Sequence, residues 1–275
     1  MKNNIIKDYK KQGYLLLRDF WDPKEIEEIH LQAKHIFLKQ IQNLMDCPKH
    51  VVADDNAFDK LMFNYFNLDV EGFINCGKQV QHLISLHKLS VDDRLLKLLK
   101  SIGLDFPIIS VRPSMFFNSR NLDKTGHYWR LDAHQDWRSS QGSLDSVTLW
   151  FPYVKCNKEL GALEVIPQSH LWGLLECEKV DYYSKIKVEI DDTKFLSIEM
   201  ESGDLLIFSS FLVHRSGTNT TQKIRWSTQL RYSNIEEATF VQRKFPNPFT
   251  YKPFEDLVTL NFPSKEDLGG LFLNK

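Results

Sequence analysis

Lys223-Ile-Arg-Trp-Ser-Thr-Gln-Leu-Arg-Tyr-Ser233 alternates polar and apolar side chains. A period of two marks a strand with one face in a core and the other turned elsewhere. Arg225, Ser227, Gln229 and Arg231 share one face; Ile224, Trp226, Thr228, Leu230 and Tyr232 share the other. Upstream, residues 107–118, 146–154, 162–166, 195–200 and 204–214 form further β-type runs separated by turn residues. No long helical pattern lies between them. That argues against parallel βαβ units and for an antiparallel sandwich or barrel, the jelly roll among them.

The first hundred residues read differently. Gly13-Tyr-Leu-Leu-Leu-Arg18 is a short strand pattern, followed by an N-cap, a first-turn proline and an acidic first turn in Asp22-Pro23-Lys-Glu25. Apolar Ile29, Ala33, Ile36, Phe37, Ile41 and Leu44 then recur at helical spacing until Cys47-Pro48. A second helical region is expected over Gln79–Leu99, broken at Ser90, which would cap the segment carrying Leu95, Leu96, Leu98 and Leu99 before Gly103 stops it. Residues 51–77 show no single period. The expected organisation is one domain over 1–275: a helical region to about 106, a sheet core to about 235, and a tail rich in Phe and Pro, as in Phe245-Pro-Asn-Pro-Phe249. The tail is expected to pack back on the core or into a dimer contact, so monomer and homodimer both stay open.

A chain of 275 residues with 42% apolar content can bury a sizeable core. Its net charge of −1 provides no basic field for nucleic acid or an anionic membrane surface, so small molecules are the expected partners. Met1-Lys2-Asn3-Asn4 runs into charged residues without a secretory pattern, and no apolar run reaches membrane-spanning length. Cys47, Cys76, Cys156 and Cys177 are too scattered for a zinc knuckle or a redox pair. The expectation is a reduced, cytoplasmic protein.

His134-Gln135-Asp136 sets an imidazole and a carboxylate two residues apart, which on extended backbone returns both to one face. The tripeptide alone is weak, since roughly 0.7 are expected by chance. His214, at the end of Asp204-Leu-Leu-Ile-Phe-Ser-Ser-Phe-Leu-Val-His214, supplies a second imidazole from another strand. Two His and one carboxylate leave coordination positions open, the arrangement with which non-haem Fe(II) takes a bidentate oxoacid and O2. Alternatives are ordinary buried histidines, a zinc hydrolase, or a metal-binding jelly-roll module that acts as sensor or scaffold without catalysis. Arg225, on the polar face of its strand, favours the oxygenase: a buried guanidinium needs an anion and fits the distal carboxylate of 2-oxoglutarate, unless a protein acid claims it. Ser216 can add a hydroxyl on the same side. Arg112, Arg130, Arg138 and Arg231, with His127, Trp129 and Trp137, lie near the motif strands and would suit an anionic substrate; solvated surface arginines are the alternative.

Taken in order, Gly13-Tyr14, Asp22-Pro23, His134-Gln135-Asp136, Trp150, Gly161-Ala-Leu163, Pro167-Gln-Ser169-His170, Gly203-Asp204, His214-Arg-Ser216, Asn219 and Arg225 resemble the phytanoyl-CoA dioxygenase family of oxygenases from about Gly13 to Tyr232. The resemblance implies a double-stranded β-helix, or cupin-like jelly roll, with His134, Asp136 and His214 on iron. It also implies Arg225, eleven residues past the distal His, on 2-oxoglutarate, with Trp150 and Ser216 lining that site. The implied reaction is hydroxylation of an unactivated C–H bond with release of succinate. Relatives that halogenate lack the carboxylate present here as Asp136. Gln168 stands where the family commonly has Gly, a change expected to alter only a turn.

Overall fold

The computed structural model describes residues 2–122, 130–180, 183–246, 259 and 261–272, with side chains from residue 6 onward. α1 (Lys2–Gln12) ends at Gly13, whose φ of +79° suits glycine and where a β-carbon would lie 2.3 Å from His170 Nδ1. β1 (Tyr14–Leu17) follows, then α2 (Pro23–Leu44), opened as expected by Asp22, whose carboxylate accepts the Lys24 amide at 2.9 Å. The unassigned stretch 51–77 folds as α3 (Asp55–Leu68) and α4 (Val70–Val80), each started by an aspartate: Asp54 accepts from Asn56 and Ala57, and Asp69 from Gly72. α5 (Ile84–Ser90) and α6 (Asp93–Ser101) correct the expected cap. Asp92, not Ser90, accepts the Arg94 amide, while the Ser90 hydroxyl turns back to the His87 carbonyl within its own helix.

The sheet half comprises β2 (Pro107–Asn118), the single turn α7 (Trp137–Ser140), β3 (Val147–Pro152), β4 (Leu163–Val165), β5 (Cys177–Val180), β6 (Tyr183–Ile186), β7 (Leu196–Ile198), β8 (Leu205–Ser209), β9 (His214–Ser216) and β10 (Arg225–Asn234). α8 (Ala238–Gln242) and α9 (Lys265–Phe272) complete the chain's elements. An antiparallel sheet in the order β1-β8-β3-β10-β2 faces a smaller one, β7-β4-β9, and β5 and β6 form a hairpin that the sequence reading missed. This is a jelly roll with flanking helices. Among the described residues its two sheets do not close into a continuous hydrogen-bonded barrel; a lone bridge between His134 and His214 extends the smaller sheet past β9.

The run 204–214 is not one strand. After Ser209 the chain turns: Leu212 N donates to Ser209 O at 2.8 Å and Phe211 N to the Ser209 hydroxyl at 3.2 Å. His214 therefore opens a strand in the opposite sheet instead of ending the first. Asp204 ties β8 to the chain beyond β1, accepting from Arg18, the Asp19 amide and the Glu201 amide. Gln168 adopts φ +67°, which accounts for glycine being common at this position in the resembling family.

β10 bears out the alternation. Ile224, Trp226, Leu230 and Tyr232 join the core beneath the helices, where Trp226 meets Phe117 at 4.6 Å and Phe37 at 6.0 Å between ring centroids. Arg225, Ser227 and Gln229 face the space between the sheets. The described part of the tail packs back on the core, with Phe262, Leu268, Leu271 and Phe272 against Trp137 and Phe211.

Candidate active site

The bridge between His134 and His214, with His134 N donating to His214 O at 3.0 Å and the reverse bond at 3.2 Å, sets the two imidazoles side by side, 4.2 Å between centroids. Each Nδ1 lies against a main-chain carbonyl two residues back: Asp132 O at 2.7 Å for His134, Leu212 O at 2.9 Å for His214. A carbonyl only accepts, so each Nδ1 carries the hydrogen and each Nε2 keeps its lone pair for a ligand. Burial, with help from His134, pushes the His214 imidazole down to about 3, so it is neutral at pH 7. Its Nε2 is buried and has no hydrogen-bond partner among the described residues.

Asp136 reaches the same point by a route the sequence reading did not foresee. Its backbone is helical (φ −62°, ψ −29°) instead of extended, because the chain turns into α7 directly after the bridge. Gln135 is turned away, with Nε2 donating to Gly173 O and Phe211 O and Oε1 accepting from Leu175 N. Aspartate is a favoured helix cap, yet Asp136 makes no capping hydrogen bond. Its Oδ1 instead lies 3.6 Å from His134 Nε2 and 3.8 Å from His214 Nε2, and the three donor atoms fall within 4.8 Å of one another. Thr148 Oγ1 donates to Asp136 Oδ2 at 2.6 Å, and Arg231 reaches both carboxylate oxygens at 3.3 Å. Burial alone would raise this carboxyl, but the interactions that oppose it, led by the Arg231 guanidinium against it, hold the group well below the usual carboxylate range. An ionised carboxylate and two imidazole lone pairs converging in a buried place suit a divalent cation with positions to spare.

The same recess extends to Arg225. This side chain is 3% exposed; one amino group donates to the Gly161 carbonyl and the other to Asn118 Oδ1 at 2.8 Å, while Nε has no partner among the described residues. No carboxylate among the described residues pairs with it, and burial lowers its pKa. Trp150 lies with its ring centroid 5.7 Å from the guanidinium carbon. Ser216 and Ser227 line the recess, and the Ser227 hydroxyl is buried without a partner. Phe116, Leu131 and Leu163 supply apolar wall.

The residues expected to meet an anionic substrate are dispersed. Trp137 is buried elsewhere, stacked on Phe211 at 5.2 Å with Nε1 donating to Ser143 O, so it braces α7 and does not line the recess. Arg138 donates to Leu175 O at 3.0 Å, Arg130 to Thr218 and Arg112 to Gln81. Arg231 is engaged by Asp136 and Gln229. His127 and Trp129 lie outside the described residues. Four polar residues at the site were not singled out from sequence: Thr148, Asn118, Ser227 and Gln229. The last two share the polar face of β10 with Arg225 and were open to the same reasoning; Thr148 and Asn118 depend on strand register.

The fold recurs in solved structures. The epimerase SnoN, solved with Fe3+, alpha ketoglutarate and nogalamycin RO, superposes with a TM-score of 0.54 at 15% identity over 85% of this chain and 83% of its own. EctD from S. alaskensis superposes with a TM-score of 0.54 at 13% identity, over 85% and 77%. In sequence, a Dictyostelium discoideum protein named phytanoyl-CoA dioxygenase domain-containing protein 1 homolog is 23% identical over 261 residues, 82% of this chain and 89% of its own length. Phytanoyl-CoA dioxygenase 1 of Oryza sativa subsp. japonica is 22% identical over 260 residues, 86% and 92%. Residues 9–227, which include His134, Asp136, His214 and Arg225, match the family described as phytanoyl-CoA dioxygenase (PhyH), and the chain belongs to that family.

Proposed function

We propose that the protein is an Fe(II)- and 2-oxoglutarate-dependent oxygenase that hydroxylates an unactivated C–H bond of a small molecule, consuming O2 and releasing succinate. The observation that carries this reading is one recess lined both by the two histidines of a His-Asp-His donor set and by a buried guanidinium that has no acid partner among the described residues. A zinc hydrolase or a metal-binding scaffold would need the first feature but not the second. When bound, the metal and oxoacid supply oxidising power by coupling O2 reduction to decarboxylation of 2-oxoglutarate.

The chain's own residues do the rest. His134 and His214 are fixed as Nε2 ligands by their carbonyl partners, and Thr148 and Arg231 orient the Asp136 carboxylate. Asp136 would serve as the third protein ligand to the metal, where halogenating relatives lack a carboxylate, which favours hydroxylation over halogen transfer. Arg225 receives the distal carboxylate of the oxoacid, with the hydroxyls of Ser216 and Ser227 as further donors and Trp150 as a wall. The apolar side chains of Phe116, Leu131 and Leu163 limit water. Adding Fe(II) and 2-oxoglutarate to anaerobic protein is expected to produce a charge-transfer absorption band, and admitting O2 to release succinate. Silence in both, with iron binding confirmed, would leave the non-catalytic module in its place; turnover independent of O2 and oxoacid would indicate a hydrolase.

A further inference from the structure

On the side of β10 away from the recess, α3 carries a buried carboxylate, Asp59, 5% exposed. Its Oδ2 accepts the Ile224 amide at 2.8 Å, and the Trp226 side chain also hydrogen-bonds to it. The two residues it holds stand on either side of Arg225. Ladder pairing of β10 starts at Arg225 opposite Asn118 in β2 and at Ser227 opposite Pro152 in β3, so the Ile224 amide falls outside both ladders. Without Asp59 the chain would enter β10 at Arg225 with its preceding amide unpaired and the Trp226 indole N–H without its acceptor, although the ring itself stays packed among Phe37 and Phe117.

A carboxylate is a costly way to satisfy that need. The surrounding layer contains Phe37, Phe58, Phe66 and Phe73, and burial pushes Asp59 up to about 6. Nearby Lys34 does not form an ion pair with it; its ammonium is taken by Asp55 and the Val52 carbonyl. The placement is accounted for if the rigidity of this short stretch matters to the recess on the other side. We propose that Asp59 is a positioning residue for Arg225: by pinning the main chain before it and the indole after it, Asp59 sets where the guanidinium meets the distal carboxylate of 2-oxoglutarate. The inference rests on the reading of Arg225 as the oxoacid's anchor.

The test uses the full chain, loaded anaerobically with manganese(II) and titrated with 2-oxoglutarate, with manganese affinity and melting temperature measured alongside. Asp59→Ala is expected to weaken oxoacid binding about 10-fold, since displacement of a positioning group by a fraction of its own size is felt strongly. Manganese affinity should stay within about 2-fold, because the metal ligands lie on other elements. Asp59→Asn, with one acceptor oxygen where the aspartate has two, should fall between, at about 3-fold. Unchanged oxoacid affinity in folded Asp59→Ala, or a parallel loss of metal and oxoacid binding, overturns the proposal. Should Asp59→Ala not fold, Asp59→Asn decides, and an unchanged affinity there overturns it. Arg225→Ala separates the two levels: if it leaves oxoacid binding intact, the anchor itself is wrong; if it abolishes binding while Asp59→Ala leaves the affinity unchanged, only the role of Asp59 fails.

Discussion

On the helix side of the larger sheet, Phe37 packs against Phe73 at 5.1 Å and Phe117 at 5.2 Å, and Trp226 sits among them 1% exposed. On the lumen side, one residue along the same strand, Ser227 Oγ and Arg225 Nε are buried without partners, and His214 Nε2 across the recess is in the same condition. A buried unsatisfied polar group costs about 1–3 kcal/mol. Partnerless atoms also occur in the helical layer, at Trp21 Nε1 and His30 Nε2, but in the lumen they line a single recess. The difference teaches that stability and function are divided between the faces of one sheet. The outer face maximises packing, whereas the inner face leaves polar atoms unpaired among the described residues, where the proposed co-substrate would satisfy them.

This division can be broken or sharpened by substitution. Phe73→Ala, confined to the outer face, should remove about 3–5 kcal/mol of stability in a denaturant titration while metal affinity of the folded protein is kept. A large loss of metal affinity would mean that the faces are not independent. Asp136→Ala should behave in the opposite way, lowering metal affinity beyond the roughly 100-fold seen when outer partners of a metal ligand are removed, with the far-ultraviolet spectrum unchanged. Arg225→Leu should weaken 2-oxoglutarate binding by about 3 kcal/mol, roughly 100-fold, and yet leave the melting temperature equal or higher, because an apolar side chain replaces a buried charge without a counterion. A fall in melting temperature would show that the guanidinium serves the fold. Thr148→Val, which removes only the 2.6 Å bond to Asp136, should lower metal affinity about 10-fold, read by competition with a chromogenic chelator.

Where the sequence reading succeeded, local pattern and burial agreed. Asp22-Pro23 starts α2 because the cap and the proline act within one turn, and β10 alternates because one face joins the apolar core and the other lines the polar recess. It fell short where a distant partner decided. Nothing within 204–214 announces that Ser209 and Leu212 turn the chain into the other sheet, since every residue between Asp204 and His214 is apolar or small and all are buried. Trp137 stood beside the metal motif in sequence, but α7 rotates it onto Phe211. Ser90 and Asp92 both suit a helix cap; the intervening residues assign Ser90 to the end of the preceding helix.

Residue order and chemistry alone determined the strand-rich second half and the helix after Asp22, and singled out the four side chains on which the proposed function rests: His134, Asp136, His214 and Arg225. These are set by short-range periodicity and by which groups can hold a cation or an oxoacid. Tertiary structure alone decided that the donors meet within 4.8 Å, that Asp136 arrives from a helical turn, that Thr148 and Arg231 hold it, and that Arg225 has no acid partner among the described residues. The reason is physical: a side chain's direction follows from its own backbone, but its neighbours follow from strand register across the sheets, which is fixed only when distant segments pack together.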